Sequence, residues 1–136
     1  MVETQKSIHE WCKATFPKHI GEQGRAVALL EEAVELALAA GVKEDAIMAA
    51  VKVPILKETI RVSTGERERK YDDDLEEMAD VLLCLYAYAE ERGGDAHAEL
   101  DRKMVINRGR STEYYAKKTA HKQELGFILP EGKGEI

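Results

Sequence analysis

The chain has 136 residues, with 20 Lys and Arg against 26 Asp and Glu, a formal charge of −6. That length gives one domain with one core, and 44% hydrophobic with 34% charged residues is a globular balance rather than a disordered one. The acid excess disfavours a nucleic acid polymer as partner, and the longest apolar run, residues 81–89, is far short of the ~20 residues a membrane helix needs.

In chain order, the first predicted helix covers about residues 4–15, with Thr4 as N-cap and Pro17 beyond its end. Residues 21–24 read as a breaker because of Gly21 and Gly24. A second helix covers about 24–40, with Gly41 at the expected stop. Residues 43–52 suit a short helix. From 53 to 70 the pattern predicts an irregular insertion or a small hairpin: Pro54 breaks a helix, Ile60-Arg61-Val62 alternates like a strand, and Ser63-Thr64-Gly65 reads as a turn. A long helix over 72–92 is acidic at its start, as the helix dipole prefers, and Gly93-Gly94 ends it. A helix over about 95–107, extending as far as Arg110, and another over 111–122 follow, and the tail from Gly126 is irregular. The expectation is an all-α bundle of three or four main helices in a single domain spanning 1–136.

Cys12 and Cys84 are the only cysteines, and no CxxC occurs, which removes a zinc ribbon or a redox pair. Cys84 lies in the most apolar stretch and reads as a small core residue. His9-Glu10 begins like HExxH, but Lys13 stands where the second His belongs. The first thirty residues lack a basic-then-apolar leader pattern, which predicts a cytoplasmic protein.

The carboxylates are the informative feature. On the second helix, Glu31, Glu32 and Glu35 share the arc left by Val27, Leu30, Val34 and Leu38. None has Lys or Arg at i±3 or i±4, where a solvated face usually places one. The later helix repeats this: Asp72, Asp73, Asp74, Glu76, Glu77 and Asp80 are six acids in nine residues. Asp80 directly precedes the run 81–85, which is apolar on every side and predicted to be buried. Glu32/Glu35 and Glu77/Asp80 are thus two i,i+3 carboxylate pairs without cations. Oxygen-only ligands of this kind suit hard divalent ions such as Mg²⁺ or Mn²⁺. Further on, Lys103, Asn107 and Arg110 fall within about a 60° arc at helical spacing, while Arg102 and Arg108 lie off it. Taken alone that stripe is a solvated face; beside an acidic metal site it reads as the side that grips phosphate.

Glu31-Glu32-Ala33-Val34-Glu35, then Glu77-Met78-Ala79-Asp80, resembles the EExxE…ExxD signature of the MazG-type all-α nucleoside triphosphate pyrophosphatases. Lys103 to Arg110 resembles the KxxxNxxR segment that follows in that superfamily. The resemblance implies a helical bundle assembled as a homodimer or homotetramer. It implies hydrolysis of a nucleoside triphosphate to the monophosphate and pyrophosphate with two or more Mg²⁺ or Mn²⁺ ions. By position it makes Glu32, Glu35, Glu77 and Asp80 metal ligands and Lys103, Asn107 and Arg110 substrate contacts, and leaves Glu31 as a catalytic candidate that orients a ligand or water. His9-Glu10-Trp11-Cys12 with Thr15-Phe16-Pro17 is similar to the start of the phage and bacterial dATP/dGTP pyrophosphohydrolases, the MazZ-type group, so a purine dNTP is the first expected substrate. A phage-encoded member would act in the host cytoplasm. The 41 residues 36–76 between the acidic blocks are longer than in many relatives.

Trp11 offers a base-stacking surface, although a sole Trp on an amphipathic helix is more often core. Lys57, Arg61, Arg67 and Arg69 read first as a solvated loop. Two rivals stay open: the same chemistry on a pyrimidine dNTP or phosphoribosyl-ATP, and a non-enzymatic helical interaction module.

Overall fold

The computed structural model describes residues 2–16, 21–65 and 74–126. These residues form six α-helices and no strand: α1 (Gln5–Thr15), α2 (Gly21–Ala39), α3 (Glu44–Ser63), α4 (Asp74–Arg92), α5 (Ala96–Arg108) and α6 (Thr112–Glu124). The expected all-α class is what the chain adopts. Pro17, Arg67, Arg69, Asp72, Asp73 and the tail beyond Gly126 lie outside the described residues.

The helix ends follow local chemistry. Thr4 caps α1 in a reciprocal box: its hydroxyl accepts from Ser7 N at 3.1 Å, and its own N–H donates to Ser7 Oγ at 2.9 Å. Asp95 caps α5 by accepting from His97 N and Ala98 N, and Ser111 caps α6 by accepting from Tyr114 N. α2 and α4 end in the same way. Gly41 (φ +86°) donates to the Leu38 carbonyl and Val42 to Ala37, while Gly93 (φ +76°) donates to Glu90 and Gly94 to Ala89. Both are Schellman stops that require a left-handed residue, which is why glycine stands there.

Three expectations need correction. Residues 53–63 are neither irregular nor a hairpin; they are the second half of α3, which runs straight through Pro54. Proline removes the donor to the carbonyl of Ala50, but Ala50 is exposed, so water can serve that oxygen. The alternation at Ile60-Arg61-Val62 is too short to distinguish a strand from a helix. The turn does appear, as the helix stop: Thr64 N and Oγ1 both donate to the Ile60 carbonyl, and Gly65 takes φ +70°. Second, α2 starts at Gly21, and Gly24 is a buried helical residue rather than a breaker. Third, the α4 run is exposed within the single chain: Val81, Leu82 and Leu85 are about half-open, Leu83 is 66% exposed and Cys84 is exposed. Apolarity all round the helix therefore does not become full burial within the single chain.

The chain forms two compact units. One comprises Met1–Arg25 and Met78–Ile136, and its buried side chains include Met104 and Tyr115. The other is Ala26–Glu77, in which Ile47 is buried. In the first unit two contacts tie the ends of the sequence together. Arg108 grips the Glu3 carboxylate with two hydrogen bonds, Nε to Oε1 at 2.8 Å and Nη2 to Oε2 at 2.9 Å, and Ser7 Oγ donates a third at 2.6 Å. These bonds, with that from Arg108 the strongest, hold the Glu3 carboxyl down at about 2. Glu3 N in turn donates to Asp101. The second contact is a ring cluster: Trp11, Phe16 and Tyr115 meet edge-on in all three pairings, with centroids 5.3–5.7 Å apart.

Candidate functional site

The phosphate-side candidates stand on α5 and the turn after it. α5 stops at Arg108, with Gly109 as C-cap, so Arg110 is not on the helix. It nevertheless stays beside Asn107: Arg110 N donates to the Asn107 carbonyl at 3.1 Å, and Nη1 reaches Asn107 Oδ1 at 3.3 Å. The guanidinium also lies 4.6 Å from the centroid of the Tyr114 ring, a cation–π contact. Asn107 and Arg110 are half-buried, and Lys103 is exposed.

The cations of this segment divide in two. The two off the arc are spent on carboxylates: Arg102 pairs with Glu99 at 2.8 Å, and Arg108 with Glu3. The two on the arc are not: among the described residues neither Lys103 nor Arg110 pairs with an acid. In a chain with six more acids than bases, leaving these two unneutralised suits an external anion. Asn107 Oδ1 and the Tyr114 ring fix the Arg110 head without cancelling its charge.

The carboxylates stand on α2 and α4. Glu32 and Glu35 are exposed on α2, and Glu31 is half-buried. Glu77 and Asp80 are exposed on α4. Among the described residues no ion pair or hydrogen bond engages the carboxylates of Glu32, Glu35, Glu77 or Asp80. The donors are hard oxygens one helical turn apart within each pair, which fits Mg²⁺ or Mn²⁺ in ligand type. No three of the described His, Cys, Asp and Glu side chains gather as a metal group.

No family model, curated protein or solved structure matches this chain. The functional reading therefore rests on its own residues.

Trp11 is half-buried and packs its edge contacts against Phe16 and Tyr115. Tyr114 was not legible as a partner of Arg110, because the break at Gly109 removes the helical register that spacing arguments use. The Glu3–Arg108 clasp joins positions 105 apart, and nothing local marks either residue. No described helix is long and apolar enough to cross a membrane.

Proposed function

We propose that this chain is a metal-dependent nucleoside triphosphate pyrophosphohydrolase that releases pyrophosphate and a monophosphate, with purine deoxynucleotides (dATP and dGTP) as its first substrates. The observation that carries the reading is the division of charge just described. Among the described residues, four carboxylates on α2 and α4 have no cation, and two cations on and after α5 have no carboxylate. A triphosphate with divalent metal is the ligand that satisfies both.

Glu32, Glu35, Glu77 and Asp80 would hold Mg²⁺ or Mn²⁺, two or more ions in all. Bound there, the cation supplies charge neutralisation and a more acidic water for in-line attack. The chain's own residues do the rest. Lys103 and Arg110 donate to phosphate oxygens, where the planar fork of Arg110 can take two at once. Asn107 presents Oδ1 to the Arg110 head at 3.3 Å, which leaves its amide N–H₂ for phosphate, sugar or base. Glu31, half-buried beside Glu32, orients water or a ligand carboxylate.

The active form proposed is a homodimer or homotetramer. α4 exposes Leu75, Met78, Val81, Leu83 and Tyr86, and α3 exposes Met48, Val53, Ile55, Leu56, Ile60 and Val62, more apolar surface than single scattered residues account for. A panel of NTPs, dNTPs and phosphoribosyl-ATP with Mg²⁺ or Mn²⁺, products resolved by chromatography, tests the activity. Metal-dependent pyrophosphate from dATP or dGTP is expected. Turnover confined to pyrimidine nucleotides or phosphoribosyl-ATP would keep the chemistry and overturn the substrate, and no turnover at all would leave a helical interaction module.

A further inference from the structure

Between the end of α1 and α6 lies a half-open pocket of about 310 Å³; the described residues that line it include Thr15, Phe16, Tyr115, Thr119, Ala120 and Gln123, of which Ala120 and Gln123 stand at its exposed rim. That is the low end for small-molecule pockets, the size for one ring system rather than a whole nucleotide. None of the described residues that line it is Asp, Glu, Lys or Arg, which suits a neutral group.

Its walls are of two kinds. Phe16 and Tyr115 supply aromatic surface, edge-on at 74° with centroids 5.3 Å apart. Trp11 does not line the cavity but meets both rings edge-on, at 5.6 and 5.7 Å, and so holds them in place. Thr15, Thr119 and Gln123 bring hydroxyl and amide groups that no other described residue occupies. Stacking against an aromatic ring is tolerant of which planar heterocycle is present, whereas hydroxyls and an amide discriminate by the donors and acceptors on its edge.

The cavity is one side chain away from the phosphate-side residues. Tyr115 Oη donates to the Asn107 carbonyl at 3.2 Å, and the ring of Tyr115 meets that of Tyr114, over which Arg110 lies. We propose that this cavity is the base subsite: it takes the neutral heteroaromatic base of the nucleotide whose phosphates meet Lys103 and Arg110. Because Phe16 and Tyr115 stand at 74° to each other, one of them stacks on the face of the base while the other meets it edge-on, Gln123 and Thr119 read its polar edge, and Trp11 is a positioning residue behind the two rings rather than the stacking surface. The proposal rests on the nucleotide reading above, so its test separates base from phosphate.

Trp11 is the chain's only Trp and touches both cavity rings, so its fluorescence reports occupancy. The four unphosphorylated deoxynucleosides and, separately, inorganic tripolyphosphate with Mg²⁺ are titrated into the full chain and into Ala120→Phe and Gln123→Ala. At least one deoxynucleoside is expected to quench saturably. Ala120→Phe, which fills the space, should weaken that binding at least tenfold, and Gln123→Ala should change the order of preference among bases. Tripolyphosphate affinity should stay within about twofold in both. Should Ala120→Phe melt early by circular dichroism, Gln123→Ala and Thr119→Val carry the comparison. Absence of nucleoside binding, or binding indifferent to all these substitutions, overturns the proposal. Nucleoside binding that follows the cavity variants, in a protein that neither binds tripolyphosphate nor hydrolyses dNTPs, upholds the base subsite and overturns the hydrolase reading instead.

Discussion

Tyr115 is the residue on which the first unit should depend most, and the cost of altering it can be worked out. It is 6% exposed, its ring meets Trp11, Phe16 and Tyr114 at 5.1–5.7 Å, and its hydroxyl donates to the Asn107 carbonyl. Tyr115→Phe keeps the rings and loses one hydrogen bond, a cost of about 1 kcal/mol. Tyr115→Ala also loses a buried aromatic side chain and three edge-on ring contacts, and buried aromatic-to-Ala changes cost about 3–5 kcal/mol. With a urea slope of about 1.5 kcal/mol/M, the midpoint should fall by roughly 0.7 M for Phe and by 2 M or more for Ala. Urea unfolding followed by Trp11 emission reads this directly, at one fixed protein concentration because self-association would add its own stabilisation. An Ala variant whose midpoint moves less than about 0.5 M, or a Phe variant as weak as Ala, would refute the account of this cluster.

Asp80→Asn removes an unpaired charge at nearly constant shape; metal-free melting should be unchanged or slightly higher, by the ~0.2–0.5 kcal/mol of a relieved like-charge pair, while metal-dependent dNTP hydrolysis is largely lost. A clearly destabilised yet fully active variant would point to a structural Asp. Lys103→Ala and Arg110→Ala should each lower kcat/KM by about 10–100-fold, one charge-assisted contact, with circular dichroism retained, and unchanged kinetics in both would leave the stripe a solvated face. The Glu3 carboxyl is held at about 2, below its ordinary 4.5, so the folded state binds fewer protons there than the unfolded one. Its stabilising effect is complete above pH 4.5 and is lost as the pH falls from there toward 2, and Glu3→Gln should flatten the acid limb of stability in that window. Light scattering at micromolar concentration should give a dimer or tetramer mass; a monomer would mean that the exposed α3 and α4 faces are left to another partner.

Much of the helical layout was legible because it is written locally. Thr4, Asp95 and Ser111 act as caps, and Gly41 and Gly93 act as stops, each within five residues of what it satisfies. α3 was misread where two local cues, Pro54 and a three-residue alternation, outweighed the helix formers on either side. The apolar run on α4 reads as buried from its composition, yet it is exposed in the single chain, because covering is not a property of the segment itself. Of the candidate site, the charge pattern was readable from spacing. The Arg110–Tyr114 contact, the Glu3–Arg108 clasp and the cavity walls were not, because each depends on how the chain turns back on itself.

The first unit is discontinuous in sequence: α1 belongs with α5 and α6, and residues 26–77 intervene. During synthesis α1 therefore has no complete docking surface until Arg108 and Tyr115 have been made, about a hundred residues after Phe16. At about 5–20 residues per second that is roughly 5–20 s during which the apolar side of α1, Trp11 and Phe16 included, stays without its partners on the nascent chain. The second unit is contiguous, so its internal contacts need no residue beyond Glu77 and can form while the partners of α1 are still being made.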